Sequence, residues 1–210
     1  MLTNRIRYGD AKQDVALAGR ATPHFDEGWR RITLAAPLSN TSAETRGELR
    51  EVRRMAKAVT PEQRSLIELQ DRDDLEMEFV GLLRRMGEPM QKPRIEEIKA
   101  IAEELTTIGL YFKDRFDRAR PAQLFQAMGL KPFPEGETTG TASYPSNHAL
   151  IGTFLGEWLA GKYPSKATAL RRLGKQMGDL RVAGGWHFPS DVEAGRKLAK
   201  KLESFFEEQP

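Results

Sequence analysis

From residue 43 onward, apolar side chains recur three and four positions apart, and stretches that alternate apolar with polar residues are nearly absent. Segments patterned this way hide one stripe each against neighbouring stripes, so the chain should build helix on helix. Ser42 can cap a first helix whose stripe is Leu49, Val52, Ala56 and Val59. Thr60-Pro61-Glu62-Gln63 opens a second: threonine caps, proline tolerates the first helical position, and Gln63 can reach back as in a capping box. Its stripe runs through Leu66, Leu69, Phe79, Leu82, Leu83 and Met86 to a stop at Gly87 and Pro89. A third begins near Pro93, carries Ile95, Ile98, Ala102, Leu105, Ile108 and Phe112, and continues to Arg120 before Pro121. Further helices follow Pro145, Pro164 and Pro189, the last with Val192, Leu198, Leu202 and Phe205 inward.

A chain of 210 residues, 39% of them hydrophobic, suffices for one core. The expected fold is therefore all-α, a single-domain helical bundle (43–210) with an irregular N-terminal arm (1–42), because the arm mixes proline and glycine with scattered aromatics. The glycine-, proline- and threonine-rich stretch between Met128 and Tyr144 is long enough to form a lid or rim.

Charge and composition narrow the function. With 33 basic and 30 acidic residues the net charge is +3, so no nucleic acid partner is expected, although a locally positive site is permitted. The absence of cysteine excludes disulfides and thiolate metal sites, and three histidines are too few for a histidine-rich metal site. The run Asp71-Arg72-Asp73-Asp74 invites a metal reading, but adjacent carboxylates on a helix diverge around it and are usually solvated. No cofactor is expected. No apolar stretch approaches the roughly 18 to 20 residues of a membrane span, and the start does not read as a signal peptide. The expected location is cytoplasmic, or periplasmic or secreted if a leader has been removed.

Three stretches carry chemistry. In the first, Lys113 and Arg120 stand seven residues apart, nearly two helical turns, so both can project from one face and hold an anion; the plain alternative is a solvated helix end. The second, Tyr144-Pro145-Ser146-Asn147-His148, enters an apolar helix whose unpaired N–H groups favour phosphate, with His148 in that first turn; the alternative is an ordinary serine cap. In the third, Arg181 precedes a glycine pair, and His187 is followed four residues later by Asp191, which can accept from one ring nitrogen and leave the other to attack. Here the alternative is that Asp191 merely caps the next helix. Trp186, Phe188 and Tyr144 could wall the leaving group but more often such aromatics are core. His24 receives no role.

Taken together, Lys-x6-Arg-Pro, then Pro-Ser-x-His after 23 residues, then Arg-x5-His-x3-Asp after a further 32, resembles the three-part signature of the type 2 phosphatidic acid phosphatase superfamily. That superfamily includes bacterial class A acid phosphatases and vanadium-dependent haloperoxidases. The likeness is most specific in Gly185-Trp-His187-Phe-Pro-Ser-Asp191-Val-Glu-Ala-Gly195, which looks like the acid-phosphatase branch. The resemblance implies that Lys113, Arg120 and Arg181 hold the phosphoryl oxygens, with hydrogen bonds added by Ser146 and the amide of Asn147. It further implies that His187 is the nucleophile, oriented by Asp191, and that His148 protonates the leaving oxygen and then activates water. Two positions depart from the pattern: Asn147 stands where glycine is usual, and Leu180 where serine is usual before the arginine.

The function implied is metal-independent hydrolysis of small phosphate monoesters, possible substrates including nucleotides, through a phosphohistidine. One alternative is a vanadate-dependent haloperoxidase, which would hold vanadate in the same cradle but belongs to generally longer chains. The other is a non-catalytic helical protein binding phosphate or nucleic acid. The leaving group and the oligomeric state are left open by the sequence.

Overall fold

The computed structural model describes residues 2–9, 19–71 and 74–208. Among them are eight α-helices and no strand, only isolated bridges joining Arg7 to Arg118 and Phe25 to Phe206. Helix α1 spans Ala43–Lys57, with Ser42 Oγ accepting from the amide of Thr45 at 3.0 Å. Helix α2 spans Pro61–Leu69 and opens on the expected capping box, Gln63 N to Thr60 Oγ1 at 3.2 Å and Thr60 N to Gln63 Oε1 at 3.0 Å.

The single helix expected from Thr60 to Met86 is two. The chain leaves helical geometry at Gln70 and re-enters at α3, Glu76–Arg85, although Phe79 and Leu83 continue the buried stripe. The interruption has a tertiary cause. The Gln70 carbonyl accepts from His148 Nε2 at 2.8 Å, and Asp71 is turned inward onto other donors; a continuous helix would have bonded that carbonyl internally. Arg72 and Asp73 of the acidic run lie outside the described residues, and Asp74 is exposed.

Helix α4, Lys92–Phe116, also stops short of Arg120. Asp117 adopts left-handed geometry with φ 44°, a C-terminal turn that an aspartate tolerates better than most side chains. Lys113 and Arg120 therefore do not share a helix face. The chain turns through 118–120 and starts a short helix that the periodicity did not reveal, α5, Pro121–Ala127, where Gln123 Oε1 accepts the Arg120 amide at 2.8 Å.

Helices α6 (Asn147–Lys162), α7 (Ala167–Ala183) and α8 (Pro189–Leu202) follow the predicted proline starts. Helix α6 is apolar nearly all round and lies centrally, against α4, α7 and α8. It meets α7 at a seam of small residues. A Cβ at Gly174 would sit 2.0 Å from the Gly152 carbonyl oxygen, and one at Gly152 would sit 2.7 Å from that of Gly174. Backbone cannot yield as a flexible side chain does, so Gly174→Ala must push α6 and α7 apart. The expected cost is about 3 kcal/mol, the upper range for overpacking, or roughly 6–12 °C in melting temperature, measured by thermal denaturation.

The arm is docked. Trp29 is fully buried with Nε1 donating to Thr22 Oγ1 at 3.0 Å, and Phe25, Ile32 and Leu34 join the main core. Backbone bonds from Asp26 N to Phe205 O and from Glu207 N to His24 O, both 2.8 Å, clasp it to the end of the chain. His24, unassigned from sequence, is held by Glu104 at 2.5 Å. No helix among the described residues is long and apolar enough to cross a membrane.

Candidate active site

Five of the residues singled out from sequence, Lys113, Arg120, Asn147, His148 and His187, line one cavity of about 560 Å³. They come from different local devices. Lys113 lies in the last turn of α4, 1% exposed, with Nζ donating to the Ala142 carbonyl. Arg120 leads into α5; its Nε donates to Thr141 O at 2.7 Å and its Nη1 to Trp186 O at 3.0 Å, so the guanidinium ties the rim stretch to the His187 loop. His187 sits between α7 and α8, where Gly185 takes φ 83° to turn the chain.

The contacts of His187 define its tautomer. Arg120 Nη1 lies 3.3 Å from Nε2, and a guanidinium only donates, so Nε2 accepts and carries no proton. The remaining proton is on Nδ1, 3.3 Å from Asp191 Oδ2. Burial first, then the charge of Arg120, pushes the imidazole pKa well below its ordinary value. The ring is therefore neutral at neutral pH, with a bare nitrogen at the cavity end.

Asp191 is fully buried and heavily held. Oδ2 accepts from Ser143 Oγ at 2.6 Å and from the Phe188 amide at 2.8 Å, and Oδ1 pairs with Arg118 Nη1 at 2.5 Å. Burial would raise its pKa, but Arg118, His187 and Ser143 outweigh it and bring the pKa down to about 2. Arg118 in turn pairs with Glu48 of α1 at 3.1 Å and stacks over Phe188. Arg118, Ser143 and Glu48 escaped sequence reasoning.

Arg181, in the last turn of α7, does not line the cavity surface. It lies close enough for its charge to act on His148 and to feel Arg120. Its Nη2 donates to Asp71 Oδ1 at 3.1 Å and to Thr138 Oγ1 at 2.5 Å, while among the described residues no acceptor meets Nε or Nη1. Burial lowers its pKa to about 9 despite Asp71. Asp71 also accepts from the amides of Glu137 and Thr138 at 2.6 and 3.2 Å, so it pins the rim onto the arginine. Gly136 leaves the room for this: a Cβ there would lie 2.3 Å from the carboxylate.

His148 donates through Nε2 to the Gln70 carbonyl, and burial, then Arg181, depresses its pKa well below the usual imidazole range. Ser146 is fully buried as the N-cap of α6, its Oγ accepting from Ala149 N at 3.4 Å, so its hydroxyl proton is available to another acceptor. The side chain of Asn147 lines the cavity but folds back on α4, with Nδ2 3.5 Å from Thr106 O. It fits because residue 109 is glycine, where a Cβ would come within 2.1 Å of Asn147 Oδ1. Leu180 points elsewhere, packing with Ile67 and Ala183. Tyr144 and Phe188 are core, and Trp186 bonds Pro134 O at 2.7 Å; none of the three lines this cavity.

Comparison with known proteins converges on the same segment. The family model for the PAP2 superfamily matches residues 99–199. A non-specific acid phosphatase of Salmonella typhimurium is 37% identical over 99 residues, covering 45% of this chain and 40% of that protein. Its counterpart in Salmonella typhi is 35% identical over 99 residues, with the same coverage. Another of that name, in Providencia stuartii, is 29% identical over 87 residues, 41% of this chain and 35% of the relative. The matches thus span well under half of these relatives' own length. The matched segment 99–199, just under half of the chain, holds Lys113, Arg120, Ser146, Asn147, His148, Arg181, His187 and Asp191, and in that segment the chain is similar to the PAP2 superfamily, the type 2 phosphatidic acid phosphatases.

Proposed function

We propose that the chain hydrolyses phosphate monoesters through a phosphohistidine on His187, without a metal ion. One observation carries this reading: His187 presents an unprotonated Nε2 at the end of a cavity that Lys113 and Arg120 also line, with Arg181 beside it holding buried N–H groups that no acceptor among the described residues meets. Buried donors without partners are costly, and a phosphoryl oxygen is an acceptor of the right charge to relieve them. Three fixed cations would stabilise the charge on the transferring group, the task metal ions perform in many phosphotransferases.

In the first step Nε2 of His187 attacks phosphorus and the bond to the leaving oxygen breaks. His148 gives that oxygen a proton, and the alcohol departs. The phosphorylated ring is cationic, with Nδ1–H held against Asp191. In the second step water attacks phosphorus, His148 takes the water proton, the P–N bond breaks, and inorganic phosphate leaves with Nε2 bare again. Ser146 and the Asn147 amide add hydrogen bonds to the phosphoryl oxygens.

The test is chemical trapping. Enzyme mixed with a phosphorus-labelled monoester in excess chelator should, on rapid quenching, retain label in an acid-labile, base-stable form on the peptide containing His187, and vanadate should block labelling. Turnover that stops in chelator and returns with a divalent cation would sink the metal-independent mechanism.

The pH dependence follows from the depressed histidines. In the free enzyme His148 must be protonated and His187 neutral, yet both have pKa values well below the usual imidazole range. As pH falls from neutrality the protonated fraction of His148 grows, so kcat/KM should rise toward an acidic optimum and decline once His187 takes a proton. Bound phosphate brings negative charge that raises both values, so the kcat profile should lie at higher pH than that of kcat/KM. Coincident profiles, or an alkaline optimum, would contradict this.

A further inference from the structure

The cavity is much longer than a phosphate. Lys113 stands at its phosphate end, and the lining continues back along α4 through Leu110, Thr106 and Glu103. At the helical rise per residue, Thr106 lies about 10 Å and Glu103 about 15 Å from Lys113 along the axis. Space of this length, in a volume of about 560 Å³, accommodates a leaving group with its own recognised far end.

That far end is not neutral. Glu76, the first residue of α3, lines the cavity at only 7% exposure, and among the described residues no other side chain hydrogen-bonds to it. Burial raises its pKa against a hydrogen bond from its own backbone amide, and the charges facing it are Asp74 and Glu103, which raise it further, and Lys99, which lowers it. Glu137 closes the rim side of the cavity, and Arg20 is the one cation among its described lining residues outside the phosphate end. A nine-tenths buried carboxylate whose nearest charged neighbours are mostly carboxylates gains from a cation and resists a further anion.

Resting on the phosphatase reading, we propose that Glu76, with Glu103, selects the leaving group: the preferred substrates are phosphate monoesters of long amino-bearing alcohols, and esters carrying a second anionic group at that distance are rejected. The two ends of the cavity then divide recognition. The cationic end takes the phosphoryl group common to all esters, and the carboxylate end reads what lies some 10–15 Å away.

Three six-carbon alkyl phosphates of matched length, ending in an amine, a hydroxyl and a carboxylate, test this directly, with p-nitrophenyl phosphate as the reference. The expected order of kcat/KM is amine, hydroxyl, carboxylate, with a ratio of about tenfold or more between the extremes, since opposite and like charges at this range differ by at least that much in a half-buried site. In Glu76→Gln combined with Glu103→Gln the amine-to-carboxylate ratio should collapse toward unity. Glu103 is exposed, so Glu103→Gln alone keeps the comparison available should the buried substitution not fold. Hydrolysis of p-nitrophenyl phosphate with equal rates for the three alkyl esters overturns this inference and leaves the phosphatase reading standing. A ratio that persists in the double variant overturns the assignment to these glutamates. Release of phosphate from none of the four overturns both.

Discussion

Replacing His187 by alanine is expected to lower kcat on the order of 10⁴-fold or more, the scale set by loss of a covalent nucleophile that works within a unit. The argument is geometric: Nε2 is the one imidazole nitrogen whose contacts require it to lack a proton, because its neighbour Arg120 can only donate. The variant should keep its helical circular dichroism and a cooperative melt, because His187 lies in the loop between α7 and α8 and no helix is interrupted by its loss. It should also still bind inorganic phosphate or vanadate, detectable as a rise in melting temperature with ligand, since Lys113, Arg120 and Arg181 remain. Activity within tenfold of the parent would remove His187 from the reaction.

The second large effect is on stability. Arg118→Met should cost about 3–5 kcal/mol, because it strands the buried Asp191 charge that Arg118 pairs at 2.5 Å. For a chain of this size that is a fall of roughly 6–20 °C in melting temperature. The sign of the pH effect is fixed by the direction of the shift. With its pKa held at about 2, below that of an unfolded aspartate, Asp191 contributes stability that is present above about pH 4 and lost as pH falls toward 2. Without Arg118 the folded pKa rises, so acid unfolding should begin at higher pH than in the parent. Adding Asp191→Asn to Arg118→Met should recover much of the stability and none of the activity. A single variant as stable as the parent would show that Ser143 and the Phe188 amide suffice to hold the carboxylate.

These two predictions draw on unequal parts of the sequence. The helices from Asn147 onward were readable because each starts at a proline or within three residues after one and carries enough apolar residues to be buried. His148, Arg181, His187 and Asp191 sit at fixed intervals on or between those helices, so their spacing carried spatial information. The helix ends at Leu69 and Phe116 were not readable, because periodicity runs past the first and charge alternation past the second. What ends the helix at Gln70 is a histidine 78 residues away, and what turns Asp71 inward includes an arginine 110 residues away. Arg118 was hidden for a related reason. In Lys113-Asp-Arg-Phe-Asp-Arg-Ala-Arg120 it looks like one more solvated charge, and only the left-handed turn at Asp117 sends it to Asp191 while its neighbours reach the cavity. Ser143 stood within the expected rim, where a serine is unremarkable until its hydroxyl is found on a buried carboxylate.

The glycine seam between α6 and α7 sets where this protein can change. His148 rides on one of those helices and Arg181 on the other, and with backbone touching backbone between them neither can drift without the other. Adaptation to a new ester must therefore come from the parts hung around that pair: the link after α2, the threonine-rich rim, and the open end of α4. Drift in taste can proceed there residue by residue while the reacting groups keep their register.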